Sequence, residues 1–298
     1  MVLSAAPILV TGGTGQLATA LLAARGRRAM LHAGRPDFDF DRLDSISACL
    51  RAAAPSLIIN AAAYTAVDRA ESEPDAARRA NTDGPRLIAE YCAATNTPLI
   101  HISTDYVFDG EKHAPYLETD PTNPTTIYGT TKRDGEDAIL ATGAPAIILR
   151  TAWVYAATGR NFVLTMLNAA KKTTELRVVA DQTGCPTAAH DLAAVIIRIA
   201  DRIATAGWSA QWRGLYHAAG SGATTWHGLA TATFAEAAQY GTTPPTIIPI
   251  ATADWPTPAR RPANSRLDCS KLGRTFGIAL PDWRNALSRT LKIVYNVK

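Results

Sequence analysis

Short apolar runs punctuate the first half of the chain, separated by longer stretches in which apolar residues recur every three or four positions. The runs are "PILVT" (7–11), "AMLHAG" (29–34), "SLIIN" (56–60), "PLIHIS" (98–103) and "AIILR" (146–150). Continuously apolar and rich in β-branched residues, they predict strands buried on both faces. The alanine-rich stretches that begin near Gly15, Asp41, Glu71 and Thr126 predict the helices between them. Strands alternating with helices, joined by right-handed crossovers, make a doubly wound α/β parallel sheet. After about residue 150 the alternation becomes irregular. "TPPTIIPI" and "WPTPARRPANSRLD" are proline-rich, and helical patterns at 189–205 and 226–240 are set apart by loops.

The first strand runs straight into "VTGGTGQLATAL", which places Gly12, Gly15 and Ala18 as G-x-x-G-x-x-A at the opening of a helix. One glycine permits positive φ in the turn, another lets the backbone approach a pyrophosphate, and a small third residue lets helix and strand pack closely. The unpaired N–H groups at the helix start attract the phosphates. Strand, turn and helix together point to a bound dinucleotide. The expected organisation is a dinucleotide-binding Rossmann unit over residues 1–150. A smaller, discontinuous substrate unit over 151–298 sends some segments back to the sheet. At the end of the second strand the sequence reads "HAGRPDFDF", with Arg35 at the tip. An arginine there favours a 2′-phosphate, so NADPH is the expected cofactor and NADH the alternative. Asp39 and Phe40 are placed to flank the adenine.

In "IYGTTKRDGED", Tyr128 and Lys132 lie four residues apart, on one face of a helix. A phenol has a pKa of about 10, and bringing it to neutrality requires roughly 4 kcal/mol. One ammonium at about 4 Å, at an effective dielectric of about 20, supplies energy of that size. Lys132 is therefore expected to lower Tyr128 toward the working pH, so that it can protonate a carbonyl oxygen as hydride reaches carbon. The spacing alone is common; its partner is "HISTDYVFDG". There the fourth strand ends at Ser103 or Thr104, at the carboxyl edge of the sheet, where open α/β folds bind ligands. Glycine turn, strand-end hydroxyl and YxxxK occur in the chain order of the short-chain dehydrogenase/reductases.

Composition narrows the field further. The chain has 298 residues, 47% hydrophobic and 19% charged, which is the balance of a globular protein. A net charge of +4 comes without a long Lys/Arg run, so no nucleic-acid partner is expected. No apolar run approaches the roughly 20 residues of a membrane span. "MVLSAAPILVTGG" lacks the basic region of a signal peptide, and a cytoplasmic location is expected. Cys49, Cys92, Cys185 and Cys269 form no CxxC and read as reduced packing residues, and the six scattered histidines form no metal motif.

The motifs "GGTGQLA", "NAAAYTAVDRAESEP", "STDYVFDG", "YGTTKRDGE", "RTAWVY", "NFVLTML", "DQTGCPT" and "PTPARRPANSRLD" resemble the dTDP-4-dehydrorhamnose reductase family in order and spacing, over essentially the whole chain. The resemblance implies reduction of the C4 keto group of dTDP-4-dehydro-β-L-rhamnose to dTDP-L-rhamnose by NAD(P)H. It makes Tyr128 the proton donor, Lys132 its partner and a holder of the nicotinamide ribose, and Thr104 the group that tunes the proton transfer and contacts the sugar oxygen. Asp105 and Trp153 would bind the sugar. Gly15, Gln16 and Leu17 match the phosphate turn, and Asp39 and Phe40 the adenosine contacts. Ala63, Tyr64 and Thr65 match the stretch after the third strand that flanks the cofactor. Arg260 and Asn264 would face the nucleotide end. A homodimer is expected, with Mg2+ at the interface in some members, although no glutamate cluster for that ion stands out here. A sugar-nucleotide dehydratase would need a Glu after Asp105, where the chain has Tyr106. Retained Thr104, Tyr128 and Lys132 speak against a non-catalytic regulatory subunit of the same fold. A sister reductase for another 4-keto sugar nucleotide stays open.

Overall fold

The five apolar runs form strands in the computed structural model, which describes residues 6–297. Met1–Ala5, on which part of the signal-peptide reading falls, lie outside the described residues. The first half runs β1 (Ile8–Thr11), α1 (Gln16–Ala23), β2 (Met30–Ala33), α2 (Leu43–Ala53), β3 (Leu57–Asn60), α3 (Val67–Ala70), α4 (Pro74–Arg78), α5 (Gly84–Thr95), β4 (Leu99–Thr104), α6 (Ile127–Ala141) and β5 (Ala146–Thr151). The second half contains β6 (Val154–Tyr155), α7 (Phe162–Ala170), β7 (Glu175–Val179), β8 (Thr183–Gly184), β9 (Thr187–Ala188), α8 (Ala189–Ala206), β10 (Gly214–His217), β11 (Thr224–Thr225), α9 (Trp226–Ala237), β12 (Thr246–Ile250), α10 (Ser270–Phe276) and α11 (Trp283–Val294).

Six parallel strands make the main sheet, in the order β2-β1-β3-β4-β5-β10. Successive residues of each strand enter opposite cores, as the two-residue period requires. Val10, Leu57, Ile59, Ile147 and Leu149 pack with Leu17 and Leu21 of α1 and Leu192, Ile196 and Ile199 of α8. Leu9, Ile58, Leu99 and Ile148 pack with Ile46 and Leu50 of α2, Ile88 and Cys92 of α5, and Ile139 of α6. A separate core joins α7, α9 and α11 around Phe234, Trp283 and Leu291. It lies beside the parallel pair β7 and β12.

Two features depart from the sequence pattern. The helix expected from Glu71 starts at Pro74, after a separate short α3, and runs as α4 and α5 with a π-helical turn between them at Arg79–Asp83 that carries the buried Asn81. β10, hydrogen-bonded in register with Ile147 to Arg150 of β5, is the sixth strand, and "GLYH" carried no strand signal of its own. Because β2 and β3 lie on opposite sides of β1, the order reverses between β1 and β3. A crevice opens there at the carboxyl ends of the strands, where ligands of open α/β sheets bind.

Candidate active site

The crevice is a cleft of about 1350 Å3 whose wall includes the β1–α1 turn, the ends of β2, β3 and β4, and the first turns of α6. Gly12 has φ +113°, and a Cβ there would come within 3.0 Å of the Ala61 backbone. A Cβ on Gly34 would come within 2.8 Å of Gly13 Cα. Three strand ends therefore meet backbone to backbone, which leaves a floor without side chains for a flat, extended ligand. Gly15 precedes α1 without a side-chain cap, and no acidic residue lies in the first turn, so the N–H groups there are open to phosphate oxygens. Gln16 is fixed by Asn161 Nδ2, which donates to its Oε1 at 2.9 Å, and Leu17 also lines the cleft.

Ala63, Tyr64 and Thr65 line the next part of the wall. Buried Asn81 holds them: its Oδ1 accepts from Tyr64 N at 2.9 Å, and its Nδ2 donates to Thr131 Oγ1 of α6 at 3.1 Å. The Tyr64 hydroxyl is bonded to Glu73. At the far end, Phe40 and Arg35 line the cleft, but Asp39 is not part of its wall. Its carboxylate folds back to accept from Arg35 Nε and from Asp41 N, both at 3.0 Å, and Asp41 reaches the wall instead. Arg35 also pairs with Asp41 at 2.7 Å, so two carboxylates already face the guanidinium expected to meet a 2′-phosphate.

The chemistry-bearing residues converge at the ends of β4 and α6. Thr104 closes β4 with a tight turn: its hydroxyl accepts from Tyr106 N at 3.2 Å and donates to Asp105 Oδ1 at 2.9 Å. Thr126 caps α6 by accepting from Gly129 N at 3.0 Å. Gly129 and Gly135 allow α6 to lie against the loop after β4 and the π turn. A Cβ on either would stand 2.2 Å from Tyr106 O or 2.0 Å from Asn81 O, respectively. Between these two glycines, on the same face of the helix, lie Tyr128, Lys132 and Glu136, one turn apart and all buried.

The expected electrostatic coupling takes a different form. Lys132 Nζ donates to Ile102 O at 2.7 Å and lies 3.2 Å from His101 Nε2. No hydrogen bond joins it to the phenol among the described residues. Burial pushes the Tyr128 hydroxyl well above its ordinary pKa, and the facing Thr104 hydroxyl offsets only part of that. Burial also lowers Lys132 to about 8, with Glu136 opposing the shift. In this arrangement the phenol stays protonated at neutral pH, because its desolvation outweighs the pull of the Thr104 hydroxyl.

Asp105 is pushed up to about 6 by burial, against the pull of the Thr104 and Ser265 hydroxyls. Its Oδ2 has no hydrogen-bond partner among the described residues. A raised carboxyl pKa means that the folded chain loses stability from this group as pH rises from about 4 to about 6, a loss that persists above that range. With a shift of about two units, Asp105→Asn is expected to be up to about 3 kcal/mol more stable than the parent near pH 7 and equal to it below about pH 4. Urea unfolding across that range measures the difference, and a gap that does not grow with pH contradicts the assignment.

Trp153 sits in the left-handed region at φ +48°. Its indole stacks on Trp226, with centroids 3.5 Å apart and planes at 6°, and both rings reach the cleft. Gly184 leaves room for the Trp153 ring, since a Cβ there would strike it at 2.4 Å. The two C-terminal candidates are not in the cleft wall. Arg260 pairs with Glu111 at 3.1 Å, both of them exposed. Asn264 is saturated by the protein: Nδ2 donates to Lys112 O and Ala114 O, and Oδ1 accepts from Arg266 N and Nε. It therefore fastens the loop after Gly110 and has no free polar atom for a nucleotide. Neighbouring Arg261 lies closer to the chemistry, donating to Tyr106 OH at 3.1 Å and pairing with Asp68 at 2.6 Å.

His101, Asn81 and Trp226 were missed by the sequence reading. Only His101, beside the strand-end hydroxyls, carried a local signal. Among the described residues no group of three or more His, Cys, Asp or Glu side chains is arranged to hold a metal ion, and no helix is long and apolar enough to cross a membrane.

The cleft runs from the glycine turn to Thr104, Tyr128 and Lys132, with room for an extended dinucleotide. The family described as "RmlD substrate binding domain" matches residues 6–296. The dTDP-4-dehydrorhamnose reductase of Sinorhizobium fredii is 47% identical over 95% of each chain. The crystal structure of a dTDP-4-dehydrorhamnose reductase from Clostridium acetobutylicum superposes with a TM-score of 0.89 at 34% identity, covering 97% of this chain and 99% of that one. The Bacillus anthracis enzyme of the same name, solved in complex with NADP, gives 0.88 at 30% identity over 96% and 99%. Fold and near full-length sequence similarity agree, and the chain belongs to the dTDP-4-dehydrorhamnose reductase family.

Proposed function

We propose that the protein reduces the C4 keto group of dTDP-4-dehydro-β-L-rhamnose, with Tyr128 as proton donor and Lys132 and Thr104 assisting. The observation that carries this reading is the convergence of Thr104, Asp105, Tyr128 and Lys132 on the cleft that begins at the glycine turn. The backbone floor at Gly12 and Gly34 fits a dinucleotide, and a bound dihydronicotinamide supplies the hydride. NADPH is the preferred cofactor on this reading, supported by Arg35 at the cleft and by the NADP held by the Bacillus anthracis relative. NADH is the alternative, since Asp39 and Asp41 partly neutralise that arginine.

Burial keeps the Tyr128 phenol protonated, which is the state a donor to a ketone oxygen requires. The Lys132 ammonium then stabilises the phenolate left behind and binds the cofactor ribose. Asp105 Oδ2, buried and without a partner, accepts from a sugar hydroxyl. Trp153, stacked on Trp226 and packed against Gly184, presents its edge to the sugar. The sheet side carries the cofactor and the segment from 151 onward mainly carries the sugar nucleotide. Cytoplasmic location and a homodimer complete the reading, both supported by the family resemblance.

Loss of nicotinamide absorbance with enzymatically prepared dTDP-4-dehydro-β-L-rhamnose tests the proposal, run with NADPH and NADH and with UDP- and GDP-linked 4-keto sugars beside it. Turnover of the dTDP substrate is expected. Turnover of a different 4-keto sugar nucleotide alone would move the substrate and keep the chemistry. No oxidation with any of them would leave a binding role.

A further inference from the structure

We propose that His101 is a positioning residue for Lys132: its neutral ring accepts an ammonium proton at Nε2 while Asn60 holds the ring proton on Nδ1. The proposal deepens the functional reading above, which gives Lys132 its role.

A buried chain of polar groups carries the inference. Lys132 Nζ lies 3.2 Å from His101 Nε2, the Asn60 amide 2.9 Å from His101 Nδ1, and Thr11 Oγ1 2.6 Å from the other end of that amide. Thr11 Oγ1 also accepts from Ala62 N at 3.3 Å. Thr11, Asn60, His101 and Lys132 are all essentially inaccessible. Burial and the neighbouring Lys132 hold His101 far below its ordinary pKa, so the ring carries one proton.

Where that proton sits follows from counting donors. With Asn60 Nδ2 toward His101, Nδ1 is an acceptor and the ring N–H at Nε2 points at Lys132. Two donors then face each other whenever the lysine is charged. With the amide oxygen and nitrogen exchanged in the same positions, Asn60 Oδ1 accepts from Nδ1–H, Nε2 accepts from the ammonium, and Nδ2 donates to Thr11 Oγ1. Every bond then runs in one direction, from Lys132 to Thr11. The cost is a neutral Thr11 hydroxyl proton without an acceptor in that chain, which is smaller than that of a buried ammonium facing an N–H.

The consequence is a fixed direction for the lysine. Two of its three protons are taken by Ile102 O and His101 Nε2, and the third is left for the cleft. The chain ends at Thr11 and Asn60, the residues immediately before Gly12 and Ala61, so the ammonium is tied to both strand ends at the switch point. Other ionisable groups around Lys132 are Glu136 on its own helix, paired with Arg150 of β5, Tyr128 one turn earlier, and Asp105 beyond the end of β4.

Two variants separate positioning from packing. The His101→Asn amide occupies the Nδ1 position, keeping Asn60 and missing Lys132; the His101→Gln amide reaches the Nε2 position and offers Lys132 an oxygen. His101→Gln is expected to keep kcat near the parent's. His101→Asn is expected to lower it about tenfold or more, the scale of one hydrogen bond to a charged group. The alkaline limb of its pH profile should move to lower pH, because the ammonium has lost an acceptor, and KM for the sugar nucleotide should stay unchanged. Equal kcat in the two variants, whether both high or both low, overturns the proposal. Nitrogen-15 NMR of the histidine rings in the cofactor-free protein reads the tautomer directly. A proton on Nδ1 at neutral pH is expected, and a proton on Nε2 there overturns the proposal even if both variants fold poorly. Should the parent fail to reduce any 4-keto sugar, the functional reading falls, and the tautomer measurement still decides this one.

Discussion

Tyr128→Phe is expected to lose turnover by about a hundred- to ten-thousand-fold while binding NADPH almost as tightly as the parent. The substitution removes one oxygen and little else. The phenol oxygen faces the Thr104 hydroxyl, which keeps its bonds to Asp105 and Tyr106, and the phenol ring packs edge-to-face on Tyr106 at 5.5 Å, a contact that phenylalanine repeats. Stability should therefore change little. Without the hydroxyl, hydride transfer would leave an alkoxide with no donor, in a site too buried for water to replace one cheaply. Steady-state reduction gives kcat and quenching of cofactor fluorescence gives affinity. Undiminished turnover in the variant refutes Tyr128 as the donor. A parallel loss of cofactor affinity would instead assign the residue to binding.

Arg150→Leu should be among the most destabilising single changes, at about 3–5 kcal/mol. Arg150 and Glu136 meet at 2.6 Å with their side chains 3% and 2% exposed, and the guanidinium lies 5.0 Å from the centre of the Phe108 ring. The pair couples β5 to α6, the helix that carries Tyr128 and Lys132. Removing the arginine leaves a carboxylate in a dry interior, and the chain must protonate it or open to water. Pairing the change with Glu136→Leu should recover much of the loss, since two apolar side chains can fill the space of a buried ion pair. Denaturant unfolding of both variants measures this, and a single variant as unstable as the double one contradicts the account.

What the sequence made legible was whatever local periodicity and chain order encode. The five strands, the glycine turn and the position of Thr126 before α6 are local signals, and each is where the pattern puts it. The doubly wound sheet followed from them. The pKa logic did not transfer, because a four-residue spacing fixes which face two side chains share and says nothing of where a flexible lysine points. Lys132 turned to a carbonyl of β4, and burial decided the state of Tyr128. Asp39 and Asn264 look like ligand contacts as letters, but both spend their polar atoms on the backbone and on neighbouring arginines. Asn81, Trp226 and His101 act across 41 to 73 residues of sequence, on Thr131, Trp153 and Asn60. No period in the sequence reports such pairs.

The late strand β10 also sets an order of events in synthesis. A chain growing from its amino end completes β1 to β5 before α8 and β10 exist. Until residues 189–217 emerge, Val10, Leu57, Ile59, Ile147 and Leu149 keep a face that only α1 partly covers. A nascent chain of that length presents a bare apolar sheet with an open edge at β5, the kind of surface that chaperones hold and that aggregates when left free. The first five strands, although written first, are completed as a sheet only by what is written afterwards.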